Sequence, residues 1–165
     1  MELLVINTGG TFNKIYNKIN GKLEVPQNNL AVKKVIESCS IDIDIEIVGR
    51  VFKDSLEMTE KDREEIYQTI LEKDRKKVII IHGTDTIDKT ADYLDKKIED
   101  RTVILTGGMF PVSIRPTDGA LNFGVALGYL QHRDIEPGIY ISMSGIVEKF
   151  NRIYKDREIG AFRYR

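Results

Sequence analysis

The chain has 165 residues, 41% hydrophobic and 31% charged, the size and balance of one globular domain with a sizeable core. Lys plus Arg number 25 against 26 Asp plus Glu, so no basic face is implied and nucleic acid is not an expected partner. The single cysteine, Cys39, has no internal disulfide partner, and the apolar run at residues 3–6 is too short for a secretory segment or a membrane span; the expected setting is a reducing cytoplasm, away from membranes.

Residues 2–7 read as a buried strand that runs straight into Thr8-Gly9-Gly10-Thr11. Residues 8–29 read as loop, interrupted by Gly9, Gly10, Gly21 and Pro26, and a connection of that length is usually functional or mobile. Leu30 to Glu37 reads as a short helix with Asn29 at its N-cap. Ile41, Ile43, Ile45 and Ile47 alternate with Asp42, Asp44 and Glu46, the pattern of a half-exposed edge strand, and a loop is expected over residues 49–58. Thr59 with Asp62 forms a capping-box pattern that opens a helix to about Lys73, with Ile66 and Ile70 on one face.

The uninterrupted apolar run at residues 78–81 marks a central strand, ending in His82-Gly83-Thr84-Asp85-Thr86. Thr86 is placed to cap the next helix, whose buried face is Ile87, Ala91, Leu94 and Ile98. Residues 102–105 form a fourth strand before Thr106-Gly107-Gly108. Pro111 and Pro116 bracket an irregular segment, and residues 118–131 read as a helix apolar around much of its girth and therefore well buried. Residues 138–143 make a fifth strand; residues 144–165 read as a polar, basic tail carrying Phe150, Tyr154, Phe162 and Tyr164. Strands alternating with helices predict an α/β fold: a three-layer α-β-α sandwich around a mostly parallel, flavodoxin-like sheet of about five strands. Ligands of such sheets bind at the carboxyl ends of the strands.

Two hydroxyl-bearing turns at two such ends are the main chemical signal. Thr11 needs a neighbouring base to act as a nucleophile, and Gly9 and Gly10 permit close backbone approach and supply N–H groups for an oxyanion. The same four residues also suit a plain strand-to-loop turn. No Gly-Lys-Ser/Thr follows, which disfavours a nucleotide P-loop. Thr84 and Asp85 fit either amine and carbonyl binding, half of a Thr–Lys–Asp relay, or an Asx-type turn. Asp54-Ser55 is either turn chemistry or a donor to a carboxylate. His82 has no cysteine or second histidine nearby, so it reads as structural and no metal site is expected. Lys155, in the run Lys155-Asp156-Arg157, belongs to a solvated surface unless the fold returns it to the strand ends.

Taken in order, Thr8-Gly9-Gly10-Thr11, Asp54-Ser55-Leu56-Glu57-Met58-Thr59, His82-Gly83-Thr84-Asp85-Thr86 and Gly107-Gly108-Met109-Phe110-Pro111 with Asp118-Gly119 and Asn122 resemble the amino-terminal domain of the bacterial-type L-asparaginase/glutaminase family. The resemblance implies hydrolysis of a side-chain amide of a small amino acid through a threonine acyl-enzyme, releasing ammonia without a cofactor. Thr11 would be the nucleophile and Tyr16 its activator; Thr84, Asp85 and Lys155 would form a relay. Gly10, Ser55, Thr84 and Asp85 would hold the substrate. Three features depart from the family pattern. The segment around Lys155 is only loosely similar, Tyr16 follows Thr11 sooner than in long-loop members, and Leu56 stands where several members carry a polar ligand. Full members also have a second, smaller carboxyl-terminal domain. Residues 1–165 are expected to form a single stand-alone domain without it, with a homo-oligomer closing the pocket through the aromatic tail. The competing expectations are an amino-acid-binding module without turnover and a generic nucleotide-binding domain.

Overall fold

Short runs of branched apolar residues build the middle of a six-stranded sheet in the computed structural model, which describes residues 1–39 and 42–165. In chain order the elements are β1 (Glu2–Gly9), α1 (Gly10–Asn13), β2 (Ile15–Asn17), β3 (Lys22–Glu24), α2 (Leu30–Glu37), β4 (Asp44–Lys53), α3 (Glu60–Lys73), β5 (Lys77–Ile81), α4 (Ile87–Asp95), β6 (Thr102–Thr106), α5 (Pro116–Leu130), β7 (Gly138–Met143), β8 (Ile146–Lys149), β9 (Ile153–Asp156) and β10 (Ala161–Tyr164). The sheet order is β4-β1-β5-β6-β7-β8. The first five strands are parallel and β8 returns antiparallel. Among the parallel strands this is the flavodoxin-like order 2-1-3-4-5, and its direction of winding reverses between β1 and β5.

Alternation along the buried strands sends side chains to two cores. Leu4, Ile6, Val78, Ile80, Val103, Leu105 and Ile141 face Ile66 and Ile70 of α3 and Ile87, Ala91 and Leu94 of α4. Leu3, Val5, Ile79, Ile81 and Ile104 face Val32 and Val35 of α2 and Phe123, Ala126 and Leu130 of α5. The expected three layers are therefore present, with the sheet buried on both faces.

The edge strand differs from its expected span. Ile41 lies outside the described residues, and β4 runs from Asp44 through Lys53 instead of giving way to a loop at Gly49. The strand is prolonged by an irregularity. Asn7 faces Gly49 and Gly9 faces Lys53, so β4 advances four residues while β1 advances two. Val51 and Phe52 take up the difference at φ 69° and 51°. Two non-glycine residues in that conformation are costly and persist only where their surroundings hold them. The irregularity carries Asp54 and Ser55 to the carboxyl edge of the sheet.

Residues 8–29 are likewise more ordered than their composition suggests. β2 and β3 pair as an antiparallel hairpin, Asn17 opposite Lys22, with Gly21 at φ 71° closing the turn. Asn20-Gly21 is the signal that marks it, a dipeptide suited to positive φ between short strands. The carboxyl-terminal residues form β8, a short turn and the β9–β10 hairpin. Phe162 and Ile153 are buried in the core beside α4 and Phe150 packs partly against it, while Tyr154 and Tyr164 are exposed. Helix α5 is buried on one side only, through Gly119, Asn122, Phe123, Ala126, Leu127 and Leu130, while Leu121 is exposed. Asn29 and Thr86 precede their helices but make no side-chain cap bonds.

The capping box of α3 is present as expected. Thr59 N–H donates to Asp62 Oδ2 at 2.7 Å, Asp62 N–H donates back to Thr59 Oγ1 at 3.4 Å, and Lys53 Nζ donates to Asp62 Oδ1 at 2.8 Å. Thr59→Ala is expected to lower the unfolding free energy by about 1 kcal/mol, measured as a lower urea midpoint at unchanged slope.

Candidate active site

The ends of β1 and β5 meet at the switch point of the sheet. Thr8 Oγ1 donates to the carbonyl of Ile81 at 2.7 Å and clamps the two strands together. Immediately beyond, the backbones touch. A Cβ on Gly10, whose φ is +66°, would lie 2.5 Å from Cα and N of Gly83. A Cβ on Gly83 would lie 2.6 Å from Cβ and Oγ of Ser55. Three chain segments, from β1, β5 and the turn after β4, are thus stacked at the carboxyl edge with no room for side chains between them. Gly10, Ser55 and Thr84, far apart in sequence, become neighbours by this route.

Thr11 lies half-buried in the single turn α1. That turn is fixed from both sides. Lys14 Nζ donates to Asp54 Oδ2 at 2.7 Å, Ser113 Oγ donates to the Lys14 carbonyl at 2.8 Å, and Val112 N–H donates to the Phe12 carbonyl at 3.1 Å. Burial opposes ionisation of Asp54, but Lys14 and the Leu56 N–H outweigh it and hold the carboxyl below its ordinary range. The Gly9 N–H is already taken by Asn7 Oδ1 at 3.1 Å, which removes it as an oxyanion donor. Asn7 Nδ2 reaches Asn29 Oδ1 at 3.1 Å, which is why Asn29 does not cap α2. Tyr16 stands apart on the β2–β3 hairpin, 60% exposed, its hydroxyl over Gly21, and among the described residues it makes no hydrogen bond to Thr11.

Ser55 is 1% exposed, and its Oγ is buried without a hydrogen-bond partner among the described residues. Its carbonyl accepts from Thr86 Oγ1 at 2.8 Å, so the hydroxyl expected to cap α4 instead ties the Ser55 turn to β5. Leu56, the next residue, is 69% exposed.

The second group of residues is fully assembled. Lys155, on β9, donates from Nζ to Thr84 Oγ1 and to Asp85 Oδ1, each at 2.8 Å. The hairpin β9–β10 brings it there because Phe162, its partner across the pair, is anchored in the core. Arg157 also reaches the site, which the sequence signalled only as part of a basic run. Its Nη1 donates to Asp85 Oδ1 at 2.8 Å and its Nη2 to the Asp85 carbonyl at 3.1 Å. The hydrogen bond from Lys155 holds the Asp85 carboxyl below its ordinary range against desolvation, and Arg157 adds to the effect. A cavity of about 120 Å³ is lined by Thr84, Asp85, Lys155 and Arg157 but not by Thr11 or Ser55. The larger hollow of about 560 Å³ lies beside α3 and α4 and contains none of these residues.

His82 serves the scaffold. It is completely buried; Nδ1 lies 2.7 Å from the Gly83 carbonyl and Nε2 lies 2.8 Å from Thr90 Oγ1. A carbonyl only accepts, so Nδ1 carries the proton and Nε2 accepts from Thr90. Thr90 Oγ1 in turn accepts from Arg63 Nε at 3.1 Å. Burial pushes the imidazole down to about 4. On the far side, Asp118 Oδ2 accepts from the N–H groups of Met109 and Phe110, and Asn122 Nδ2 donates to the Gly107 carbonyl at 3.0 Å. These motif residues brace the loop after β6.

A flavodoxin-like α/β domain with hydroxyl, carboxylate and ammonium groups gathered at its switch point is the class defined by this fold and site. The chain belongs to the asparaginase family: the family model described as "Asparaginase, N-terminal" matches residues 2–161. An L-asparaginase of Bacillus licheniformis is 28% identical over 166 residues, covering 96% of this chain and 49% of that protein. The thermostable L-asparaginase from Thermococcus kodakarensis superposes with a TM-score of 0.84 at 26% identity, over 99% of this chain and 51% of that one. L-asparaginase I from Vibrio cholerae shares the fold with a TM-score of 0.82 at 23% identity, over 99% and 51%. The chain therefore spans about half the length of these relatives.

The depressed pKa of His82 has a signed consequence. Between about 4 and the ordinary 6.5 the unfolded chain binds a proton that the folded chain refuses. The resulting stabilisation, roughly 3 kcal/mol, is complete above the unfolded pKa and is lost as pH falls toward the folded one. The urea midpoint of the wild type is expected to fall steadily from about pH 7 to about pH 4.5. His82→Gln should flatten that dependence, and an unchanged slope in the variant would show that another group is responsible.

Proposed function

We propose that this domain hydrolyses the side-chain amide of a small amino acid of the asparagine type. The observation that carries the reading is the Lys155 ammonium, bonded at 2.8 Å to both Thr84 Oγ1 and Asp85 Oδ1 at a strand end. A lysine joined to a hydroxyl and a carboxylate is a proton relay, the arrangement an otherwise weak threonine or water nucleophile needs. Family membership and the placement of Thr11, Ser55 and Thr84 around one backbone contact support the same reading.

In this mechanism Thr11 Oγ adds to the amide carbon while its proton passes to the leaving nitrogen. The C–N bond breaks, ammonia departs, and an ester to Thr11 remains. Water held by Thr84 then adds to the ester carbon; the C–O bond breaks to free the acid, and the proton lost by the water ends on Thr11 Oγ, with Lys155 passing on one proton for each it takes. Tyr16 reaches Thr11 when the β2–β3 hairpin folds over the site, the kind of loop closure that completes many active sites. Asp85 holds the α-ammonium, and Ser55 Oγ donates to the α-carboxylate. The chemistry uses only side chains and water.

Purified protein is expected to release ammonia from asparagine or a related amide. Thr11→Ala and Thr84→Val should each lower that rate by about 100-fold or more. If the wild type releases no more than these variants while calorimetry still registers amino-acid binding, the domain is a binding module instead.

Ser55 provides a separate check. A buried hydroxyl without a partner costs the free protein about 1–3 kcal/mol. Ser55→Ala is therefore expected to leave thermal stability unchanged or raise it, while weakening L-aspartate binding about tenfold by loss of a charge-assisted hydrogen bond. A variant that loses stability and keeps its affinity assigns the hydroxyl to packing.

A further inference from the structure

Asp85 is shared among more cations than ammonium recognition requires. Lys155 Nζ and Arg157 Nη1 both donate to Oδ1, each at 2.8 Å, and Arg157 Nη2 also holds the Asp85 carbonyl at 3.1 Å. No hydrogen bond from the described residues reaches Oδ2, so a ligand group binding Asp85 meets that oxygen with a guanidinium beside it. The Arg157 side chain is 65% exposed, while Asp85 is 31% exposed. Arg157 has no other carboxylate within salt-bridge distance among the described residues. Its planar fork engages the side chain and backbone of one residue, a more directional hold than a single point charge makes.

We infer that Arg157 is a specificity-determining residue that weakens the site's selection for an α-ammonium, so that terminal monoamides of small dicarboxylic acids lacking a free α-ammonium compete with amino-acid amides. The inference rests on the proposed placement of Asp85 at the ligand's α-nitrogen. Its physical basis is the balance of charge. One carboxylate faces Lys155 and Arg157 before any ligand arrives, so an incoming ammonium adds a third positive charge. A hydrogen or an acylated nitrogen at that position adds none. The effect is bounded by solvent exposure, which screens the pair.

The test compares binding of L-aspartate and succinate, which differ only in the α-ammonium, to the full chain by calorimetry. In the wild type the preference for L-aspartate is expected to be small. Arg157→Gln should tighten L-aspartate relative to succinate by about fivefold to tenfold, the scale of one partly screened unit charge at the edge of a site. The difference between wild type and variant should shrink as NaCl is raised from about 0.05 M to about 0.5 M, a range over which the screening length falls severalfold. Asp85→Asn should abolish the discrimination in both backgrounds. If Arg157→Gln weakens both ligands by one factor, the guanidinium serves the carboxylate and the inference fails. If L-aspartate binding depends on Asp85 but the ratio is untouched in Arg157→Gln, the inference fails while the placement of Asp85 stands. If Asp85→Asn changes neither ligand, the placement itself is wrong and the inference falls with it.

Discussion

Everything at the candidate site depends on three backbones meeting at the carboxyl edge of the sheet. Gly10 lies against Gly83, and Gly83 lies against Ser55, closer than any Cβ tolerates. The contact sits at the point where the winding direction reverses, the one place in such a sheet where loops from two neighbouring strands diverge and leave a crevice. With side chains between them, the three segments would stand apart by the width of a methyl group or more. Gly10, Ser55 and Thr84 would then no longer be neighbours, and the proposed chemistry depends on that spacing. Glycine here is a condition of proximity between functional groups, beyond its role as a turn former.

Maintaining that contact consumes most of the polar residues in the motifs. Thr8 clamps β1 to β5, Thr86 holds the Ser55 turn, and His82 links the Gly83 carbonyl through Thr90 to Arg63. Asp118 and Asn122 fix the loop after β6. A buried polar group is tolerable only when bonded, and each of these is. Among the described residues Ser55 Oγ is the exception, and it lies beside the glycine contact itself. Among the described residues the bonded groups build the edge, and Ser55 Oγ alone is left without a partner, which is why the proposed function gives it to a ligand.

The layered fold was legible because the signals were strong and local. Continuous apolar runs specified β1, β5, β6 and β7, and the Thr59–Asp62 box specified the start of α3. The edge strand was harder. Its alternation identified β4, but the extension through Val51 and Phe52 depends on pairing with β1 and on backbone angles that sequence preference argues against. The β2–β3 hairpin was hidden because its strands are three residues each, too short for a period to show, leaving Asn20-Gly21 as the sole signal. Asn29 and Thr86 stand at the N-cap positions of their helices, but capping preference is local and their side chains serve tertiary partners instead, Asn7 and Ser55. The tail reads as surface because its charges are interspersed with its apolar residues and no long apolar run stands out. Phe162 and Ile153 nevertheless suffice to dock β9 and β10, and only that docking turns Lys155 from a surface lysine into a site residue.

The two halves of the site differ in how they are held, and the difference follows from where their residues reside. Thr84 and Asp85 follow a strand whose Val78 to Ile81 are all buried, and Lys155 lies on a hairpin pinned by a core phenylalanine, so their mutual distances are set by the fold. Tyr16 rides on a hairpin whose Ile15, Ile19 and Leu23 are all exposed, Ile19 almost completely. Few apolar contacts mean a low cost of local movement. In the proposed mechanism the Thr84–Lys155–Asp85 group is therefore already assembled by the fold, while Tyr16 has to be brought to Thr11. Under that proposal the hairpin governs when Thr11 can act, and the fixed group with its neighbouring cations governs what is held while it does.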